Sequence, residues 1–401
     1  MRSSNIRVGP MRSKCTQHKN LTFRTGNNFH LNACVGNNSG IDNRNGYTYG
    51  FAASVKIMLS AALSGSYMDA KDGECDPEID GLIYPIAFCA RHHIELFLKR
   101  EISYVSEIRG PSRAPPNDHD LAALWQDFWD TCATTDRFLF SHAKPLDGYV
   151  QDFSDIDPTG QTFRYAYSND NVAHLTKFSV INLQNFAERF YEMVELIQKF
   201  EVAREAVAWE YAQGTFTEKL SREELSDLAS ALPKRADWAG SAKFGEVRDE
   251  FRKQFNLSSN DFCKAIHKLE GHREFSAMLG VELPIKELNR DVFSRLRAID
   301  DCTADTDTVS DLEWAALSAV CEVGRAQAYS EAYDVELAEA FYAIKDGLID
   351  RVHIMRTVAT NPKFIKGLKR MGQITLVAGY EEVFRNPGEC QDSCRPNPAA
   401  F

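Results

Sequence analysis

The chain has 401 residues, 44% hydrophobic and 26% charged, a length and composition that predict a globular protein of two or three domains. It has no run of about 18 apolar residues, which excludes a membrane-spanning helix. The net charge of −11 is uneven: residues 1–50 hold seven Lys/Arg against Asp42 alone, leaving −17 on the remainder. So acidic a body argues against a broad, sequence-independent nucleic-acid surface but leaves room for a local basic pocket.

Residues 1–46 are basic, rich in Asn, Gly and Ser, and without apolar period; they predict a disordered arm. A helical period begins at Tyr47, and Phe51, Val55, Met58, Leu59, Ala62 and Leu63 predict a first helix closed by Gly65. An acidic, Gly/Pro-containing loop over 69–80 precedes LIYPIAFCARHHIELFLKREISYV, residues 82–105, which predicts a core helix with Pro85 in its first turn. Wound at 3.6 residues per turn, Ile86, Ala87, Ala90, Ile94, Phe97, Leu98 and Val105 share one arc. Tyr84, Phe88 and Ile102 widen that arc past half the circumference. Arg91 and Glu95 fall inside it and Lys99 at its edge, so the helix carries charge into a core, where charge needs partners.

Gly110, Pro111, Pro115 and Pro116 break the chain, and Asn117 or Asp118 is expected to cap a third helix with Leu121, Leu124, Trp125, Phe128 and Cys132 on its inner side. A long connection over 144–171 holds a short helix (Tyr149, Phe153, Ile156) and then DPTGQTFRYAY; connections of this length usually cover something. A fourth, long helix is predicted from about 172 to 212, with Leu183, Phe186, Phe190, Met193 and Ile197 inward. Gly214 ends it. Ser221 and Glu224 form a capping box at the start of a second helical half, with helices near 243–255, 259–270, 272–279, 285–299, 311–331, 334–350 and 363–378. No strand survives a period-2 count, and residues 386–401 predict a flexible tail. The expected fold is all-α: a bundle over 47–213, then a helical domain over 214–385.

Three pieces, RHHIELFLK (91–99), His119-Asp120-Leu121 and DPTGQTFRYA (157–166), resemble in order a bacterial subgroup of the HEPN family with an RHxxELxLK core helix. The resemblance covers about 47–200. It implies a four-helix bundle working on RNA or nucleotides, in many members a metal-independent ribonuclease of toxin, stress or phage-defence systems whose site is completed across a homodimer. That chemistry uses an Arg, a polar neighbour, and a His four to six residues on, with His as base toward a 2′-OH and Arg on the phosphate. Arg91 and His92 match the first two positions, but Leu96, Phe97 and Leu98 stand where the His is expected. Arg137 and His142 satisfy the spacing as a string, yet Phe138 is not a polar neighbour.

The candidate catalytic residues are therefore Arg91, His92 and Glu95, with Arg137 and His142 behind them; Lys99, His119 and Arg164 are candidates for binding the nucleotide. Against this stands a purely structural ladder of Arg91, Glu95 and Lys99, one turn apart, with Arg164 or Asp120 as further partners. His92 and His93 point about 100° apart and cannot line one site. Residues 243–281 have a helix-turn-helix flavour, but seven Lys/Arg against five acids over 243–273 is thin for a DNA-reading element. A DNA-binding regulator and a non-catalytic helical scaffold are the alternatives to the RNA or nucleotide reading. Trp209, Trp238 and Trp314 are expected in the core. Ten cysteines without a CxxC pair fit free thiols in a reducing cytoplasm, and Cys390 and Cys394 lack the neighbours of a zinc site. No P-loop, dinucleotide fingerprint or HExxH string occurs, so neither cofactor nor metal is expected.

Overall fold

The first apolar period becomes α1 (Arg44–Ser64), whose Ala52, Val55, Leu59 and Ala62 repeat at helical spacing and are buried. A computed structural model describes residues 22–35, 44–65, 79–168, 171–176, 178–326, 329, 332–360 and 362–384 of the chain. The chain divides into two compact units, Met1–Gly46 and Tyr47–Phe401. In the first, a 3₁₀ turn (Phe29–Leu31) lies between Gly26 and Asn32, which exchange hydrogen bonds of 2.9 and 3.1 Å. Most of the predicted basic arm, most of the acidic loop at 69–80 and the 386–401 tail lie outside the described residues.

In the second unit, α2 (Ile79–Glu107) is the core helix: Ile86, Ala87, Ala90, Ile94, Phe97, Leu98, Ile102 and Val105 of the predicted arc are buried, whereas Phe88 is half-buried and Tyr84 is exposed. It starts at Ile79, before the predicted 82, so Pro85 lies beyond the first turn and leaves the Gly81 carbonyl without its helical donor. Helix α3 (Leu121–Thr135) is capped by Asp120, not Asn117 or Asp118: the Asp120 carboxylate accepts from Ala123 N at 3.0 Å. Asp136 then caps α4 (Arg137–Ala143), an element the sequence pattern does not announce, and α5 (Asp147–Ile156) is the short helix expected in the connection. Helix α6 (Leu183–Ala212) begins eleven residues later than predicted, because Asn182 caps it by accepting from Asn185 N. The stretch before it is irregular, with Asn171 and Leu175 at positive φ. Helices α1 to α6 share one apolar core around Phe97, Phe128 and Phe200, which meet edge to face.

The second half is also helical. Helices α7 (Arg222–Ala231), α8 (Ala242–Gln254), α9 (Ser259–Gly271) and α10 (Arg273–Met278) close over a small core of their own. The Ser221/Glu224 capping box is present, and Ser258/Asp261 repeats it on α9. A third core gathers α11 (Arg290–Asp300), α12 (Asp311–Arg325), α13 (Tyr333–Lys345), α14 (Arg351–Thr360), α15 (Pro362–Arg370) and α16 (Ile374–Phe384). Two predicted helices end early at glycines: Gly347 and Gly372 take left-handed φ of 71° and 65°, which splits α13 from α14 and α15 from α16. Trp314 is in the core as expected and Trp238 is half-buried, but Trp209 is 57% exposed. The described residues hold no β-strand beyond one isolated bridge, Tyr167 with Ala173, and the fold is all-α. None of their helices is long and apolar enough to cross a membrane.

Candidate functional site

The three sequence pieces meet in one place. Arg91, on the buried arc of α2, is 1% exposed and reaches both other segments. Its Nη1 donates to Glu95 Oε2, and its Nη2 to the carbonyls of His119 and of Pro158, the latter at 2.8 Å; Nε donates to the Asp157 carbonyl at 3.1 Å. Four of its five N–H groups thus have fixed acceptors. The 157–162 turn is built to allow this. Gly160 takes φ +76°, and a Cβ there would lie 3.2 Å from the guanidinium carbon. Asp157 Oδ1 accepts from Thr162 N at 3.0 Å, and the Pro158 carbonyl also accepts from Leu121 N, the first residue of α3. One guanidinium therefore ties α2, the start of α3 and the connection together.

Glu95 is the hub on the acidic side. Its Oε1 accepts from Lys99 Nζ at 2.8 Å and lies 2.8 Å from His119 Nδ1, while His92 Nδ1 stands 3.8 Å from Oε2. Burial works against its charge, but His92, Lys99, His119 and Arg91 together outweigh it and hold the carboxyl well below the usual range. The predicted Arg91–Glu95–Lys99 ladder is thus present, with different outer partners. Asp120 is spent as a helix cap, and Arg164 is exposed and packs over the rings of Phe88 (5.4 Å) and Tyr165 (5.2 Å). Backbone carbonyls and the His119 ring take the places assigned to those two.

These residues border an open cavity of about 390 Å³ lined by Phe88, Arg91, His92, Glu95, His119, Thr159, Gly160, Gln161, Arg164, Tyr165 and Tyr167. His92 stacks on Phe88, its ring 5.8 Å away and nearly parallel. The His119 side chain is 69% exposed; with Nδ1 held by Glu95, its Nε2 is the nitrogen left for a ligand. Around the cavity stand two guanidiniums and two imidazoles against a single carboxylate. Such a wall favours an anion, and the Phe88, Tyr165 and Tyr167 rings offer faces to a planar group. Lys99 stands behind the wall on Glu95. Among the described residues no three His, Cys, Asp or Glu gather as a metal would need.

Arg137 and His142 do not join this site. Arg137 pairs with Glu223 at 2.8 Å and Asp227 at 2.5 Å on α7, and His142 Nδ1 lies 3.0 Å from its own helix at the Phe138 carbonyl. A second buried network lies one turn along α2. Arg100 is held by Glu101 at 2.7 Å and by Glu201 of α6, and Arg204 Nε lies 2.8 Å from Glu101. The signal was there: a helix buried all round must bury Arg100 and Glu101 too, and Glu201 and Arg204 continue the inner side of α6. Burial pushes the Glu101 carboxyl up despite both arginines. Comparison with protein-family models, curated proteins and solved structures finds no match for the chain.

Proposed function

We propose that this is a HEPN-like protein that binds RNA or a nucleotide in the α2 pocket, in the defence, toxin or stress setting that the resemblance implies. The observation that carries the reading is the excess of cationic groups over the lone carboxylate Glu95 around an open cavity walled by aromatic rings. In this reading Arg164 and the free Nε2 of His119 meet phosphate, and a base lies against Tyr165 or Tyr167. Arg91 is a positioning residue: buried and committed to four acceptors, it fixes His119 and Glu95 instead of meeting the phosphate. The imidazole missing from α2 is then supplied from the start of α3, oriented through Nδ1 by Glu95, in the arrangement a general base needs. A homodimer is the assembly that goes with this reading.

The test is fluorescence anisotropy with a labelled single-stranded RNA and competition by nucleotides, on wild type, Arg164→Ala and His119→Ala. Each variant is expected to weaken binding about tenfold, near the 1–3 kcal/mol of a lost stacking or charged contact. Cleavage that persists in wild type and stops in His119→Ala would extend the reading to catalysis. No binding by wild type at low salt, or binding indifferent to both changes, removes it.

A further inference from the structure

We propose a second anion site, on the other side of Gly214, that takes a phosphoryl group between the turn after α6 and the outer face of α9. The turn runs through Gln213, Gly214, Thr215, Phe216, Thr217 and Glu218, and with Lys264, His267, Lys268, Gly271 and His272 it borders a cavity of about 540 Å³. Lys264, His267 and Lys268 lie at i, i+3 and i+4, so they stand side by side on one face of α9, and all three are exposed. Among the described residues no carboxylate lies within ion-pair distance of any of them, in a chain whose net charge is −11 and whose arginines are mostly paired. A positive face whose lysines are committed to no ion pair, on an acidic body, is a local attractor for a multiply charged anion.

The turn is shaped to face these lysines. Gly214 has φ +74°, and a Cβ there would lie 3.2 Å from Lys268 Nζ, so glycine lets the ammonium lie close over the backbone. Thr217 Oγ1 accepts from Leu220 N at 2.9 Å, which leaves its hydroxyl proton to donate into the cavity. Thr215 is spent on the Glu210 carbonyl at 3.1 Å. His272, 11% exposed, closes the inner end near Glu210, at 3.9 Å, and Phe216 gives an apolar wall. Glu218 is the one acid on the lining; it is exposed at the rim, and it disfavours anions that cannot engage both lysines. Two ammoniums, two imidazoles and a hydroxyl around a space of this size suit a pyrophosphate-type group, borne by a free nucleotide or by a nucleic-acid backbone. This site shares no residue with the α2 pocket, and the inference stands apart from the function proposed for that pocket.

The experiment is titration calorimetry on the full chain at low salt with inorganic pyrophosphate in one arm and a single-stranded 20-mer in the other. The proteins are wild type, the double variant Lys264→Gln/Lys268→Gln, and Arg164→Ala, which leaves this site intact. Both lysines are exposed, and circular dichroism confirms that the double variant is folded. Pyrophosphate binding that weakens at least tenfold in the double variant and persists in Arg164→Ala supports the site with a free phosphoryl ligand. Binding of the 20-mer alone, with a salt slope lowered by about 1.4 in the double variant for two lost contacts, supports it with a polymer as the source. Neither anion binding, or the double variant binding both as wild type does, overturns it.

Discussion

His93 shows what a single ring costs when it is turned inward. It follows His92 on α2, and the 100° step takes it from the pocket wall into the core, where it is 1% exposed. Its Nδ1 lies 2.9 Å from the Thr48 carbonyl, so it is the neutral N–H tautomer that fits, and Nε2 is buried without a partner. Burial pushes its pKa down to about 4; the Thr48 bond opposes this, and Arg100 and Lys56 add to it. Below about pH 6.5 the unfolded chain takes up a proton that the folded chain refuses. The fold should therefore hold its full stability above pH 6.5 and lose up to roughly 3 kcal/mol as pH falls to about 4. Urea unfolding at steps from pH 7.5 to 4.5 measures this, and His93→Leu should flatten the dependence whatever it does to stability at pH 7.5. An unchanged slope in that variant sinks the assignment. Glu95 acts lower down: its depressed carboxyl contributes stability above about pH 4.5 that is lost only under stronger acid, so the two groups separate. Placing Arg91 and Glu95 inside α2 needed only the width of the apolar arc. What holds Arg91 could not be read, because its acceptors are the carbonyls of His119, Asp157 and Pro158, and a carbonyl has no letter in the sequence.

At the scale of elements, period and caps were legible wherever a side chain made the boundary, as at Ser221 and Glu224. They failed where conformation did: the late start of α6 follows positive φ at Asn171 and Leu175, which L-residues seldom adopt and apolar spacing does not record. The same blindness hides a close helix crossing. A Cβ on Gly324 of α12 would stand 1.9 Å from the Lys363 carbonyl oxygen, and one on Gly367 of α15 would stand 2.0 Å from that of Val320. The two backbones touch there, with nothing flexible to move aside. Alanine ordinarily stabilises a helix over glycine by about 1 kcal/mol. At Gly367 that gain should be overwhelmed, with Gly367→Ala destabilising by about 2–3 kcal/mol as α12 and α15 are forced apart. Gly245 on α8 is the control: a Cβ there meets nothing within 4 Å, so Gly245→Ala should raise the urea midpoint. Two shifts of the same sign would falsify the crossing as the reason for the glycines.

At the scale of the whole second unit, three apolar cores could unfold one by one unless something ties them, and between the first two the tie is polar. Arg222, 4% exposed at the start of α7, donates Nε to Glu210 of α6 at 3.1 Å and Nη2 to Glu274 of α10. Its guanidinium lies over the rings of Phe275 (5.1 Å) and Tyr329 (4.2 Å). Its backbone N donates to Tyr211 Oη at 3.1 Å, and the hydroxyls of Tyr211 and Tyr329 both donate to Asp136 Oδ2, at 2.9 and 2.6 Å, while Asp136 caps α4. Burial, with Asp136 beside them, pushes both tyrosine hydroxyls far up, so both stay protonated and can donate to Asp136. A buried pair of this kind is weak evidence for stability as a whole, but removing one partner strands the other charge. Arg222→Met keeps the stem and removes the charge, leaving Glu210 and Glu274 without it, and should cost about 3–5 kcal/mol. Adding Glu210→Gln should return part of that loss, since one stranded carboxylate is then gone. The loss should also be local in its kinetics: hydrogen exchange across residues 222–279 should speed up before that of 183–212, since the smaller core loses its anchor to the larger. If exchange rises equally in both stretches, or the double variant is no better than Arg222→Met, the two cores are joined by apolar packing and the arginine is incidental.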